Sequence, residues 1–245
     1  MKDDENYNPI FILGTGRSGT NHLCRSLLDF NNITDYFGGK ENSKILKKVA
    51  ISAIENRQLD NSVIDYYKTQ IDTAKNDNKI FLDQCHPNIH HYQQLSTLFK
   101  NALFLAIERP IEQIVASMLN HRGVLNWYNR FNNNEFKNIQ FPNNFFGVES
   151  TDQLSNLPLH ILCAKRALSH KRMSNTLAKN KNVRLVNFEN FVKDKSTEIA
   201  RVFTKSELEY FGDYNESEFS NIKTLHKYKT VLSDKQIDEI RNLEK

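Results

Sequence analysis

Two separated stretches of this 245-residue chain carry groups suited to holding negative charge. In the first, Gly14-Thr15-Gly16-Arg17-Ser18-Gly19-Thr20, glycines let the backbone curl until successive N–H groups converge on one point, which makes a cradle for an anion. Arg17, Ser18 and Thr20 add a guanidinium and two hydroxyls at the same place. In the second, Arg109 stands eight residues before Ser117. The planar fork of an arginine matches phosphate oxygens, and a serine one helical face away can donate to the same group. Anion binding at more than one point is therefore the chemistry to test.

The first stretch departs from a nucleoside-triphosphatase loop, which reads G-x-x-x-x-G-K-[ST] and uses its lysine on the terminal phosphates and its hydroxyl on magnesium. Gly14 and Gly19 have that spacing, but Thr20 occupies the lysine position and Asn21 the next. A loop that keeps the backbone cradle and drops the metal-binding hydroxyl suits a transferred group with less charge than a γ-phosphate, such as a sulfuryl group.

These stretches need elements to position them. The apolar run Ile10–Leu13 directly precedes the glycine loop, and Leu23, Leu27 and Phe30 follow at helical spacing, so a strand hands over to a helix whose N-terminus favours an anion. A second apolar run over 80–82 ends in Asp83 and precedes a helix over 90–99; a third, over 102–107, delivers Arg109. Pro110 suits the first turn of a helix. Ile111, Ile114, Val115, Met118 and Leu119 then make its apolar stripe, with Gln113, Ser117 and Asn120 opposite. The pattern predicts further helices over 157–177, 191–203 and 233–243, and a strand over 183–188. Strands that are apolar throughout, alternating with helices, predict a parallel sheet buried on both faces. The expected fold is one α/β domain over 1–245, a central parallel sheet flanked by helices in a three-layer sandwich of the P-loop NTPase kind. Two stretches stand apart. Residues 40–73 are helical in composition, with Glu41 their one catalytic-type signature. Residues 123–150 hold Trp127, Tyr128, Phe131, Phe136, Phe141, Phe145 and Phe146 among asparagines without a stable period, and read as a loop or loose helical excursion that serves as an acceptor-side lid.

Composition narrows the class. With 33 basic and 29 acidic residues the formal charge is +4, enough to suit an anionic ligand and too little for a nucleic-acid partner. Three cysteines, Cys24, Cys85 and Cys163, form no close pair, which excludes a disulfide framework or a cysteine zinc site and points to a reducing, cytoplasmic setting. His86 and His90 are four apart, but Pro87 interrupts the turn and no further ligand set accompanies them, so no metal is expected. The polar start of the chain and the lack of a long apolar run predict neither a leader nor a membrane span. The sequence carries no signature of oligomeric state.

The segment from Pro9 to Leu23, P-I-F-I-L-G-T-G-R-S-G-T-N-H-L, resembles the 5′-phosphosulfate loop of sulfotransferases that use 3′-phosphoadenosine-5′-phosphosulfate (PAPS). Arg109 and Ser117 resemble that family's second element, a strand ending in Arg with a Ser eight residues on. Residues 182–189 are similar to its later strand, and 227–233 to its C-terminal loop. In motif layout the chain is closest to Golgi-type and bacterial carbohydrate and tyrosylprotein sulfotransferases. The resemblance implies PAPS as donor, 3′-phosphoadenosine-5′-phosphate (PAP) as product, and no metal requirement. It implies that Gly16, Arg17, Ser18, Gly19, Thr20 and Asn21 hold the 5′ end, and that Arg109 and Ser117, with Lys227 and Lys229, hold the 3′-phosphate.

Sulfuryl transfer needs a base for the acceptor hydroxyl and cations or N–H donors for the leaving phosphate. Arg17 meets the second need, and the resemblance assigns the first to Glu41, in Gly38-Gly-Lys-Glu41-Asn. Asp83 is a further candidate base. Where the family places a lysine two residues before a proline, this chain has Cys85, in Asp83-Gln-Cys85-His86-Pro87; His86, Gln84 or Lys40 are the substitutes, with His86 the expected donor. Aromatic rings among asparagine amides in 123–150 suit a hydroxyl-bearing acceptor such as a carbohydrate. The rival readings are a P-loop kinase in which Asp83 binds magnesium, and a nucleotide-binding module without catalysis.

Overall fold

The computed structural model describes residues 8–136, 138–215 and 225–245. Five short strands, β1 (Ile10–Leu13), β2 (Ile33–Thr34), β3 (Ile80–Asp83), β4 (Leu103–Glu108) and β5 (Val183–Asn187), pair in parallel in the order β2-β3-β1-β4-β5. The register of the central pair sets Ile10 opposite Leu103 and Leu13 opposite Ala106. Between and after the strands run α1 (Thr20–Leu27), α2 (Ser43–Ile54), α3 (Asn61–Asn76), α4 (Tyr92–Leu98), α5 (Ile111–Leu119) and α6 (Arg122–Asn132). They are followed by α7 (Thr151–Asn156), α8 (Leu159–Leu177), α9 (Phe188–Lys193), α10 (Lys195–Val202), α11 (Lys205–Phe211) and α12 (Asp234–Asn242).

Side chains alternate across a strand, and here both faces are apolar. Ile10 and Ile12 join Leu82, Leu103, Leu105 and Val186 in a core closed by α1, α9, α10 and α11. Phe11 and Leu13 point the other way, with Phe81, Phe104 and Ala106, into a core closed by α2, α3 and α4. A third cluster joins α5, α6, α8 and α12 beside the sheet. Completely buried rings such as Phe11 and Phe104 each contribute roughly 1.5–3 kcal/mol on leaving water. The result is the three-layer α/β arrangement that the apolar strands predict.

Several boundaries differ from the sequence reading, each for a local reason. The helix expected over 191–203 is two helices, because the Asp194 carboxylate accepts from Thr197 N at 3.0 Å and starts a new helix where α9 ends. The one expected over 90–99 is a 3-10 turn, His86–His91, that leads into α4. Residues 40–73 become α2 and α3, and 123–150 open with the regular helix α6. Behind α6, Phe145 and Phe146 are completely buried and belong to the third cluster. Among the described residues no helix is long and apolar enough to cross a membrane.

Candidate active site

Strand β1 has β3 on one side and β4 on the other, so the connections leaving β1 and β4 diverge. Open α/β sheets bind ligands in the crevice beyond the carboxyl ends of such strands. The glycine loop follows β1 and Arg109 follows β4, which puts both anion-binding stretches at one crevice.

Local backbone geometry shapes the loop. Arg17 and Gly19 lie in the left-handed region, at φ 76° and 118°, and Ser18 closes a tight turn by donating from N and Oγ to the Thr15 carbonyl, at 3.1 and 2.8 Å. Gly19 is the N-cap of α1, with no side chain capping it, so the first-turn amides remain available to an anion. A Cβ at Gly19 would run into the Phe188 ring. The start of the loop is held from both sides, since Gly14 N donates to the His86 carbonyl at 3.4 Å and His170 Nδ1 meets the Gly14 carbonyl at 3.0 Å.

The two arginine motifs meet. Arg17 Nε donates to Ser117 Oγ at 3.1 Å, and Arg109 Nη1 donates to the Arg17 carbonyl at 3.0 Å. Arg109 Nε also donates to Gln113 Oε1 at 3.1 Å, Gln113 Nε2 donates to Glu189 at 2.7 Å, and the Phe188 ring lies 4.2 Å beneath the Arg109 guanidinium. Burial and then the charge of Arg17 push Arg109 down to about 10. Burial also lowers Arg17, against the opposing pull of Glu41. Two guanidinia crowded into one crevice form a site whose electrostatics improve when an anion enters.

The crevice has two adjoining chambers. One, of about 280 Å³, is lined by Gly16, Arg17, Gly19, Thr20, Asn21, Glu41 and His86. The other, of about 360 Å³, is lined by Gln113, Phe188, Lys227 and Tyr228. Arg17, His22, Arg109 and Ser117 line both. A donor set of this kind, two guanidinia, a hydroxyl, an uncapped helix start and a lysine along one elongated cleft, fits a ligand with an anion at each end.

Glu41 enters the first chamber on a folded loop. The Asp35 carboxylate accepts from the amides of Phe37, Gly38 and Gly39 at 2.9, 2.9 and 2.7 Å, and Gly38 and Gly39 take the left-handed conformations that this curl needs. Asn42 then caps α2. Glu41 Oε1 meets His86 Nδ1 at 3.1 Å. Burial alone would raise this carboxyl, but the His86 hydrogen bond and the charges of His86, Arg17 and His121 outweigh it and hold Glu41 below its ordinary value. On its other edge the His86 ring abuts the loop; a Cβ at Gly16 would stand 3.3 Å from Nε2.

Not every sequence candidate lies in the crevice. The Ser18 side chain turns away into a small recess behind the loop, and Lys229 is absent from the lining of both chambers. Lys40, Gln84 and Asp83 line a separate small recess. Asp83 is buried; its Oδ2 accepts from Cys85 N at 3.0 Å, Asn88 Nδ2 at 2.9 Å and the Tyr67 hydroxyl at 3.4 Å. Burial pushes it up to about 7. It anchors the 3-10 turn that presents His86. His90 points to His170, with 3.1 Å between their Nε2 atoms, and not toward His86's partner Glu41. Among the described residues no three His, Cys, Asp or Glu side chains gather as a metal site. Of the aromatics in 123–150, Trp127 lines the first chamber. Sequence reasoning missed Arg166 and the Gln113–Glu189 support; the available signal for Arg166 was a cation on the buried stripe of α8, with Leu162, Cys163, Ala167 and His170.

No protein-family model matches this chain, and no curated protein matches it by sequence. Solved structures do. A sulfotransferase domain from the curacin biosynthetic pathway is 13% identical with a TM-score of 0.53, covering 97% of this chain and 97% of its own. A sulfotransferase from Alicyclobacillus acidocaldarius is 14% identical with a TM-score of 0.55, covering 96% of this chain and 90% of its own. The chain has the sulfotransferase fold.

Proposed function

We propose that this protein transfers a sulfuryl group from PAPS to an acceptor hydroxyl, with PAP as the product. The observation that carries the reading is the junction of two motifs a hundred positions apart, Arg17 Nε on Ser117 Oγ at 3.1 Å and Arg109 Nη1 on the Arg17 carbonyl at 3.0 Å. It unites a 5′ and a 3′ anion site in one cleft. The sulfotransferase fold of the two solved neighbours supports it.

When bound, the donor supplies an activated sulfuryl group on a phosphate leaving group. The chain's own residues do the rest. Arg17, Gly16, Gly19, Thr20 and Asn21, with the start of α1, grip the 5′ end, and Ser18 contributes through the turn it closes. Arg109, Ser117 and Lys227 grip the 3′-phosphate, and Lys229 adds long-range charge. Glu41 accepts the hydroxyl proton. His86 occupies Oε1, so we assign the proton to Oε2. His86, held between Glu41 and Gly16, stands in for the lysine replaced by Cys85, and its ring N–H steadies charge on the leaving phosphate. The Cys85 thiol is pushed well up by burial and then by Asp83, which leaves it no nucleophilic part.

The remaining assignments follow the same reading. The loop acts as a P-loop relative without a metal role, the chain works as one domain, and 123–150 supply the acceptor side. Trp127 offers a ring face to a carbohydrate or similar polyhydroxyl acceptor. Three buried, unbridged cysteines suit the cytoplasm. The test is PAP release from PAPS, with sulfur-labelled donor, across a panel of hydroxyl acceptors and without divalent metal. Acceptor-dependent release that Glu41→Gln abolishes supports the proposal. Phosphoryl transfer from ATP and magnesium instead, or release indifferent to Glu41, refutes it.

A further inference from the structure

The first chamber contains a cation that the donor sites do not use. Arg166, on α8, is 1% exposed, yet it lines the wall of the chamber together with Val124 and Trp127. Its Nε and Nη1 are completely buried and have no hydrogen-bond partner. One face of the guanidinium lies 4.1 Å over the Phe145 ring. The buried Tyr128 hydroxyl lies beside it as a neutral polar neighbour, which cannot balance its charge. Among the described residues no carboxylate pairs with it, and its electrostatic partners are Tyr128 and Cys163. A guanidinium stays protonated in any protein environment, and a buried charge without a counter-charge is strongly unfavourable. Such a group calls for an explanation, and an anionic ligand that completes it is one that the adjoining chamber offers.

Arg166 is absent from the lining of the second chamber, where Arg17, Arg109, Ser117 and Lys227 gather. What enters beside Trp127 and Glu41 is the acceptor. We infer that Arg166 pairs with a carboxylate carried by the acceptor, so that the substrates are hydroxy acids, acidic sugars among them, and not neutral alcohols; this rests on the sulfotransferase reading above. A single uncompensated positive charge matches a monoanion, and burial of Nε and Nη1 leaves room for one contact rather than a bidentate one. Trp127 supplies an apolar face to the carbon skeleton, and Glu41 faces the hydroxyl.

Trp127 is the chain's one tryptophan, so intrinsic fluorescence reports on this wall. With PAP bound, the wild-type protein is titrated with glucuronate and with glucuronamide, its neutral isostere. The carboxylate is expected to bind about tenfold or more tighter, the effect of one charged hydrogen-bonded pair. In Arg166→Met that preference is expected to vanish, while PAP affinity by calorimetry stays within about twofold because the donor contacts are untouched. The ligand-free Arg166→Met protein is expected to melt at a higher temperature than wild type, since an unpaired buried charge is replaced by an apolar chain of similar length. A merely structural arginine would do the reverse. Equal binding of the two probes by wild type, a preference that survives Arg166→Met, or a lower melting temperature overturns the inference. So does a selective loss of PAPS over PAP affinity in the variant, which would put Arg166 on the sulfuryl group. Failure of PAP to bind wild type is a separate reading and defeats the donor assignment alone.

Discussion

Replacing Arg109 by alanine gives the sharpest test of how the cleft divides its ligand. Arg109 is held below its ordinary value, at about 10, by burial and then by Arg17. A phosphate beside it relieves that crowding, and a hydrogen bond between charged groups contributes about 1.5–3 kcal/mol. Arg109→Ala should therefore weaken PAP by roughly a hundredfold. Arg109→Lys keeps a charge but loses the Phe188 face and the Gln113 bond, and should fall between the two, at about tenfold. The control is adenosine-5′-phosphosulfate, which lacks the 3′-phosphate. Its affinity should change by no more than about threefold in Arg109→Ala, from the lost bond to the Arg17 carbonyl. Calorimetry of both ligands on both proteins closes the cycle. Equal losses for the two ligands would show that Arg109 serves the loop and not a 3′-phosphate, and the division of the cleft would be wrong.

Three further outcomes are expected. Glu41→Gln should lower turnover by about 10²–10⁴-fold while PAP affinity holds; because Glu41 lies below its ordinary value, the wild-type kcat/KM should stay flat down to pH 5, and an acid limb near neutrality would remove Glu41 as the base. Asp83 has a folded value of about 7 against 3.8 unfolded, so its stabilising share is complete below about 4 and is lost as pH rises through 7. Asp83→Asn should accordingly gain in melting temperature relative to wild type between pH 5 and pH 8, and a constant difference across that range contradicts the burial argument. Gly19→Ala meets both a left-handed φ of 118° and the Phe188 ring; it should cost about 2–5 kcal/mol in chemical unfolding, and a neutral result would mean the loop relaxes freely.

The sheet was legible because strands buried on both faces read as unbroken apolar runs, as in Ile10–Leu13 and Leu103–Glu108. Strand β2 was not, since two residues give no pattern. The Asp194 boundary was hidden because a capping aspartate inside a helical periodicity looks like a surface charge. At the site, Arg17 was readable from glycine-loop chemistry, and Arg109 with Ser117 from the resemblance to the second sulfotransferase element, whose spacing they share. Their mutual contact was not, because it depends on β4 lying next to β1, a fact of topology. Ser18 reads as an anion ligand yet spends its hydroxyl on the Thr15 carbonyl. Arg166 escaped notice because no local pattern tells a buried arginine from a solvated one until the helix has a neighbour on every side.

The central claim is that one cleft takes an adenosine ligand bearing phosphate at both its 3′ and 5′ positions. Calorimetric titration of the wild-type protein with PAP, and separately with ATP and magnesium, tests it most directly. One PAP per chain is expected, bound at least about tenfold tighter than the triphosphate, from one charged hydrogen-bonded pair at the 3′-phosphate. Equal affinity, or preference for ATP with magnesium, would contradict it.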